Sequence, residues 1–173
     1  FTVRRDGSSV FGANHKYGVF PSVAIGWNIA REQFMSSITD VVNNLKLRVS
    51  YGKAGNEAIN IYQSLTKLEA NTLAIGGSTK TSLKANRSMG NSDLSWETTK
   101  SFNSGIDFGL WNNRINGTVD VYFSSTTDLL LRRNLPTSLG YDNVWTNMGE
   151  TANRGVEITL NTKNVTLDDF SWN

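Results

Sequence analysis

Five ionisable residues stand out by their spacing: Lys46, Arg48, Asp107, Asp120 and Glu157. Each falls on the polar positions of a stretch that alternates apolar and polar residues, so in strands they line one face of a sheet. Paired carboxylates could serve a glycosidase, one donating and one accepting a proton. A wet face carrying charges accounts for the same three acids more simply. Other catalytic chemistries lack their residues. The chain has one histidine, His15, in a Gly/Asn loop, and no cysteine. Ser-His-Asp, Cys-His and multi-histidine zinc sites therefore have little support, and disulfides and thiol catalysis are excluded. Asp168-Asp169 and Asn91-Ser92-Asp93 lack calcium-loop spacing. The glycine-rich pieces follow neither GxxxxGK nor GxGxxG after a strand. The expectation is a protein that is not an enzyme, with no catalytic residue, cofactor or metal.

The elements that must position these charges centre on residues 96–123, which read as two long strands joined by a tight turn. In the first arm Phe102, Ile106, Phe108 and Leu110 share one parity, against Ser101, Asn103, Gly105, Asp107 and Gly109. After Asn112-Asn113-Arg114 the second arm sets Ile115, Val119, Val121 and Phe123 against Asn116, Thr118, Asp120 and Tyr122. Two situations produce this pattern. A soluble antiparallel sheet turns its apolar face to a core, whereas a transmembrane barrel turns it to lipid and its polar face to an aqueous lumen. The arms exceed the usual soluble strand of about 5–6 residues and match the roughly 9–11 of a tilted membrane strand. Length favours the barrel; a soluble β-sandwich carbohydrate-binding module is the alternative that periodicity permits.

Composition fits a sheet with one lipid and one wet face. Of 173 residues, 18% are charged, against about 25% in ordinary soluble domains, and Gly, Asn, Ser and Thr carry the polarity instead. A net charge of +2 is too small to argue for nucleic acid. Arg4-Arg5 and Arg132-Arg133 read as solvated strand ends. No run of about 18 apolar residues exists for a spanning helix, which says nothing against a barrel.

About seven strand regions are expected: residues 1–5, 17–29, 45–52, the two arms of the hairpin, 144–162 and a last partial strand near Phe170. Pro21 should mark a bulge or strand end, and Gly149 and Gly155 are expected kinks. Residues 31–37 suit a short helical turn. Residues 53–95 form the longest irregular region, with a flexible tip at Gly76-Gly77-Ser78-Thr79 and a short hairpin or helical turn at 59–68. Residues 132–143 form another loop. Links alternate long and short, as in outer-membrane barrels with short periplasmic turns. Trp27, Trp111 and Trp172 fall near the short-turn end, either as an interfacial girdle or as ordinary core or edge residues. Because the chain opens and closes inside strands, it is expected to be a segment of a longer polypeptide.

Six runs carry a resemblance: RRDGSSVFG, YGVFPSVAIGWNI, LKLRVSYGKAGN, NSDLSWETTKSFNSGIDFGLWNNRINGTVDVYF, TDLLL and NMGETANRGVEITLN. In this order and spacing they resemble the C-terminal part of the barrel in SusC/RagA-type TonB-dependent transporters of the Bacteroidetes outer membrane. Ser92 departs from the proline usual before the Asp-Leu pair, and residues 59–88 are the least family-like. The resemblance implies an all-β, antiparallel transmembrane barrel of about 22 strands with a plugged lumen. Residues 1–173 would be one part of that barrel, with plug and N-terminal regions outside this chain. It further implies import of glycan or peptide nutrients, energy from TonB–ExbB–ExbD, and a SusD-like surface lipoprotein as lid. Lys46, Arg48, Asp107, Asp120 and Glu157 then become candidates for lining the lumen or contacting the plug. Residues 53–95 and 132–143 would contribute to the extracellular mouth.

Overall fold

The computed structural model describes residues 1–75, 78–85, 87–167 and 170–172. Gly76-Gly77 of the expected tip and the Asp168-Asp169 pair lie outside the described residues, whereas Ser78 and Thr79 of that tip begin a strand. Among those residues the chain is built from β-strands: β1 (Thr2–Gly7), β2 (Tyr17–Asn28), β3 (Val42–Asn56), β4 (Leu68–Ile75), β5 (Ser78–Ala85), β6 (Ser88–Met89), β7 (Glu97–Leu110), β8 (Ile115–Thr127), β9 (Leu130–Asn134), β10 (Asn143–Asn147), β11 (Glu150–Thr162), β12 (Val165–Leu167) and β13 (Phe170–Trp172). Six form one antiparallel sheet in the order β1-β2-β3-β7-β8-β11, with β1 and β11 at its open edges. The expected helical turn is present as two short 3-10 segments, Ile29–Arg31 and Gln33–Ile38.

The register explains the alternation. Transverse rows run Val49–Ser104–Val121–Val156, Leu47–Ile106–Val119–Ile158 and Leu45–Phe108–Gly117–Leu160, with Ile25 and Trp27 joining the first two. Every row is apolar apart from one serine and one glycine, and all lie on one face. That face is uncovered: Ile25 is 69% and Ile158 71% exposed, and Trp27, Ile106, Val156 and Leu160 are exposed as well. A β-sandwich would pack a second sheet here, and none does so among the described residues. The sandwich expectation is thereby overturned.

Apolar burial is concentrated instead where the long links meet. Phe11 and Leu94 are fully buried, joined by Val10, with Ile59, Trp96, Leu130 and Trp145 packed around them. Trp96 stacks tilted on Phe11 at 5.0 Å and meets Phe20 edge-on at 5.4 Å. Asn147 ties the cluster together, its side chain donating to the carbonyls of Ser95 and Asp128 and accepting from the Ser95 amide at 2.8 Å. The Glu97 carboxylate accepts from Asn56 and from the Leu130 amide, both at 3.0 Å.

Several expectations change. The hairpin within the long link is β4–β5, not at residues 59–68, and residues 53–56 extend β3. β8 stops at Thr127 because Asp128 takes a left-handed φ of 59°. The run that follows becomes β9, in a separate three-stranded sheet with β10 and β6, so residues 132–134 are strand rather than loop. Residues 144–162 split at Gly149, whose φ of +82° ends the run. Gly155 is no kink: its register with Tyr122 is unbroken, and the missing Cβ makes room for the Tyr122 ring. Pro21 sits inside β2 without a bulge, paired to Val3. The β2–β3 ladder begins only at Ser22, so the absent N–H interrupts no bond there. The link 29–41 is longer than the link 8–16, against simple long–short alternation.

Candidate functional site

On the face opposite the apolar rows, the register sets out two lines of side chains. One runs Gly26–Arg48–Gly105–Asp120–Glu157, the other Asn28–Lys46–Asp107–Thr118–Thr159. All five ionisable residues singled out by spacing therefore stand in two adjacent rows of four neighbouring strands. Three of them are in contact. The Arg48 guanidinium holds Asp107 in a two-point contact, with Nε 2.9 Å from Oδ2 and Nη2 2.8 Å from Oδ1. The same Nη2 reaches Asp120 Oδ1 at 3.0 Å. One planar fork thus clamps carboxylates from two strands, the geometry for which arginine is suited and lysine is not.

Gly105 makes that reach feasible. It lies between Arg48 and Asp120 in the row, and a Cβ there would overlap Asp120 Oδ1 and crowd Arg48 Nη2. Spacing alone does not single Gly105 out, because its significance lies in what its cross-strand neighbours do. Lys46 and Glu157 stand beside the cluster, Lys46 opposite Asp107 and Glu157 opposite Asp120, and neither makes an ion pair among the described residues.

The cluster is partly open, with the side chain of Arg48 38% exposed and that of Asp120 19% exposed. One cation facing two anions would be costly in a dry core, where a buried charge needs full compensation. It is tolerable on a wet wall. Towards the loop end, a shallow cavity of about 270 Å³ is lined by Ser101, Asn103, Tyr122, Ser124 and Glu157 together with Phe102 and Phe123. A second, of about 360 Å³, is lined by Thr2, Ser22, Ser50, Ser101 and Asn103. With both aspartates engaged by Arg48, the acid pair a glycosidase needs does not form there. Among the described residues no three His, Asp or Glu side chains gather as a metal site.

The aromatic residues divide between the two ends. Trp27 and Trp111 are exposed at the short-turn end as expected, while the side chain of Trp172 lies outside the described residues. Sequence reasoning missed a second aromatic line, Tyr51–Phe102–Phe123, on the apolar face nearer the long links. It also missed Phe20, buried on the polar parity under Trp96.

A long antiparallel sheet with an uncovered apolar face and a charged, polar opposite face is a section of β-barrel wall, not closed among the described residues. The comparisons with known proteins give its family. Residues 1–173 match the family described as TonB dependent receptor-like, beta-barrel, and the chain belongs to it. It is 40% identical over 172 residues to TonB-dependent receptor P3 of Formosa agariphila, covering 99% of this chain and 17% of that protein. It is 36% identical over 177 residues to TonB-dependent receptor SusC of Bacteroides thetaiotaomicron, again 99% of this chain and 17% of that protein. Both organisms are Bacteroidetes, as the six sequence runs implied. Among solved structures, the RagAB peptide importer in its closed-closed state superposes with a TM-score of 0.87 at 31% identity, over 98% of this chain and 18% of that one. The family is one of outer-membrane receptors and transporters, not an enzyme class.

Proposed function

We propose that this chain is part of the barrel wall of an outer-membrane importer of glycan- or peptide-derived nutrients. The observation that carries the reading is the consistent division of six strands into an apolar and a polar face. Lipid covers the first and an aqueous lumen the second. The likeness to SusC and to the RagAB peptide importer supports a cargo of oligosaccharide or peptide and a SusD-like lipoprotein lid over the loop end. It also supports energisation by TonB–ExbB–ExbD through plug and N-terminal regions outside residues 1–173.

In this reading Lys46, Arg48, Asp107, Asp120 and Glu157 line the lumen or contact the plug. Arg48, Asp107 and Asp120 neutralise one another in part and fix the wall's shape. Lys46 and Glu157 are left to meet a plug or a passing solute. The long links, knit by the Phe11–Leu94 core, form part of the extracellular mouth. The test is the native polypeptide itself, detected with an antibody to residues 96–123. A band several times larger than 19.1 kDa, in the outer-membrane fraction and heat-modifiable on a gel, is the expected result. A soluble monomer of this size would overturn the proposal.

A further inference from the structure

The apolar face carries a group of cations that lumen chemistry does not use. Lys53 and Lys100 stand directly opposite each other on β3 and β7, one row beyond the aromatic line Tyr51–Phe102–Phe123. Arg154, on β11, is paired with Phe123. Like charges directly opposite in a sheet destabilise it, so this placement calls for an anion. Among the described residues none of the three cations makes an ion pair. The carboxylate on the same face of β11, Glu150, accepts from Ser125 Oγ at 2.6 Å instead. Lys100 and Arg154 line a cavity of about 610 Å³ together with Tyr51, Phe102 and Phe123, and Lys53 stands next to it as the cross-strand partner of Lys100.

We propose that this is a docking site for a phosphate-bearing lipid of the outer leaflet. Its phosphates would be held by Lys53, Lys100 and Arg154, and its acyl chains laid over Phe102 and Phe123. Charge complementarity selects the occupant. A neutral lipid would leave the lysine pair uncompensated, and an acidic protein segment would waste the apolar floor, whose neighbouring rows already face hydrocarbon. Long cationic side chains on a lipid-facing wall extend their amines to the headgroup level while their stems stay on apolar surface. The site rests on the reading of the apolar face as lipid-facing.

The experiment uses the full-length receptor containing this chain, inserted into vesicles of phosphatidylcholine alone or mixed with phosphorylated lipid A. The receptor is then extracted gently and its retained lipid weighed by native mass spectrometry. Phosphorylated lipid should be retained in preference to phosphatidylcholine. Lys53→Gln, Lys100→Gln and Arg154→Gln should each reduce that retention about five-fold, the usual size of one cation's effect at an anionic membrane surface. Lys100→Arg should keep it, and Lys46→Gln, on the opposite face, should leave it unchanged. Displacement of the lipid by inorganic phosphate would show a bare anion site and overturn the lipid assignment. Wild-type receptor that inserts but retains both lipids equally would overturn the site while leaving the importer reading intact, and needs no variant. Failure of the wild type to insert at all would overturn both.

Discussion

The loop end and the strand face of this chain treat apolar residues in opposite ways. At the loop end Phe11 and Leu94 are sealed from solvent by Trp96, Leu130 and Trp145, and polar groups such as Asn147 are satisfied by backbone. On the strand face Ile25, Ile158 and Leu160 stand uncovered in rows. The first is the solution of a water-soluble protein, in which the chain supplies both sides of each contact. The second supplies only one side and leaves the other to lipid. One sequence thus carries two solvents' rules, and the boundary between them runs near the aromatic line Tyr51–Phe102–Phe123.

The largest separable effect is expected at the loop core. Phe11→Ala should cost about 3–5 kcal/mol locally and make the long links protease-sensitive, while the receptor still inserts and stays heat-modifiable. Loss of insertion would show that loop core and sheet form one cooperative unit and would erase the distinction. On the strand face, Val119→Arg places a charge between Ile106 and Ile158. It should cost about 2–4 kcal/mol and block assembly, whereas Thr118→Arg, on the other face, should assemble normally. Equal yields of the two in the outer-membrane fraction would count against the assignment of faces.

Smaller effects test the polar wall. Arg48→Met leaves Asp107 and Asp120 facing each other without their shared cation. With Arg48 38% exposed, the expected loss is about 1–2 kcal/mol, less than the roughly 3–5 of a dry pair, read from the denaturant midpoint of the folded barrel. Gly105→Ala is the mildest, about 1 kcal/mol, at the low end for overpacking because the obstructing atom is the tip of a carboxylate. Its effect should vanish when combined with Asp120→Ala, which removes the obstructing atoms, if it acts through that carboxylate.

Much of the strand face was legible in the sequence because a two-residue period survives any register. The parity of Asp107, Asp120 and Glu157 needed no knowledge of which strands pair. What the period cannot give is which residues stand opposite one another. The Arg48 clamp, the role of Gly105 and the Lys53–Lys100 pair all depend on register across strands far apart in sequence. The loop core was harder still. Phe11, Leu94 and Trp145 come from three separate links with no shared period, and the break at Asp128 rests on a left-handed backbone that aspartate tolerates but does not announce.

The turn at residues 111–114 bears on the order in which the wall is built. Trp111, Asn112 and Asn113 hold φ of 49°, 56° and 58° in succession, a conformation that asparagine accepts more readily than most residues. The side chain of Asn43 caps it, accepting from the amides of Asn112 and Asn113. Closing so short a connection costs little chain entropy, whereas joining β3 to β7 must first close residues 57–96, and the cost rises by about 0.6 kcal/mol for each doubling of loop length. Pairing of β7 with β8 is therefore expected first, on the microsecond scale of hairpins, with β11 adding along β8 and β3 arriving last as Asn43 locks onto the finished turn. Pulsed hydrogen exchange during refolding should protect the β7–β8 amides before those of β3, making this turn the point from which the sheet is laid down.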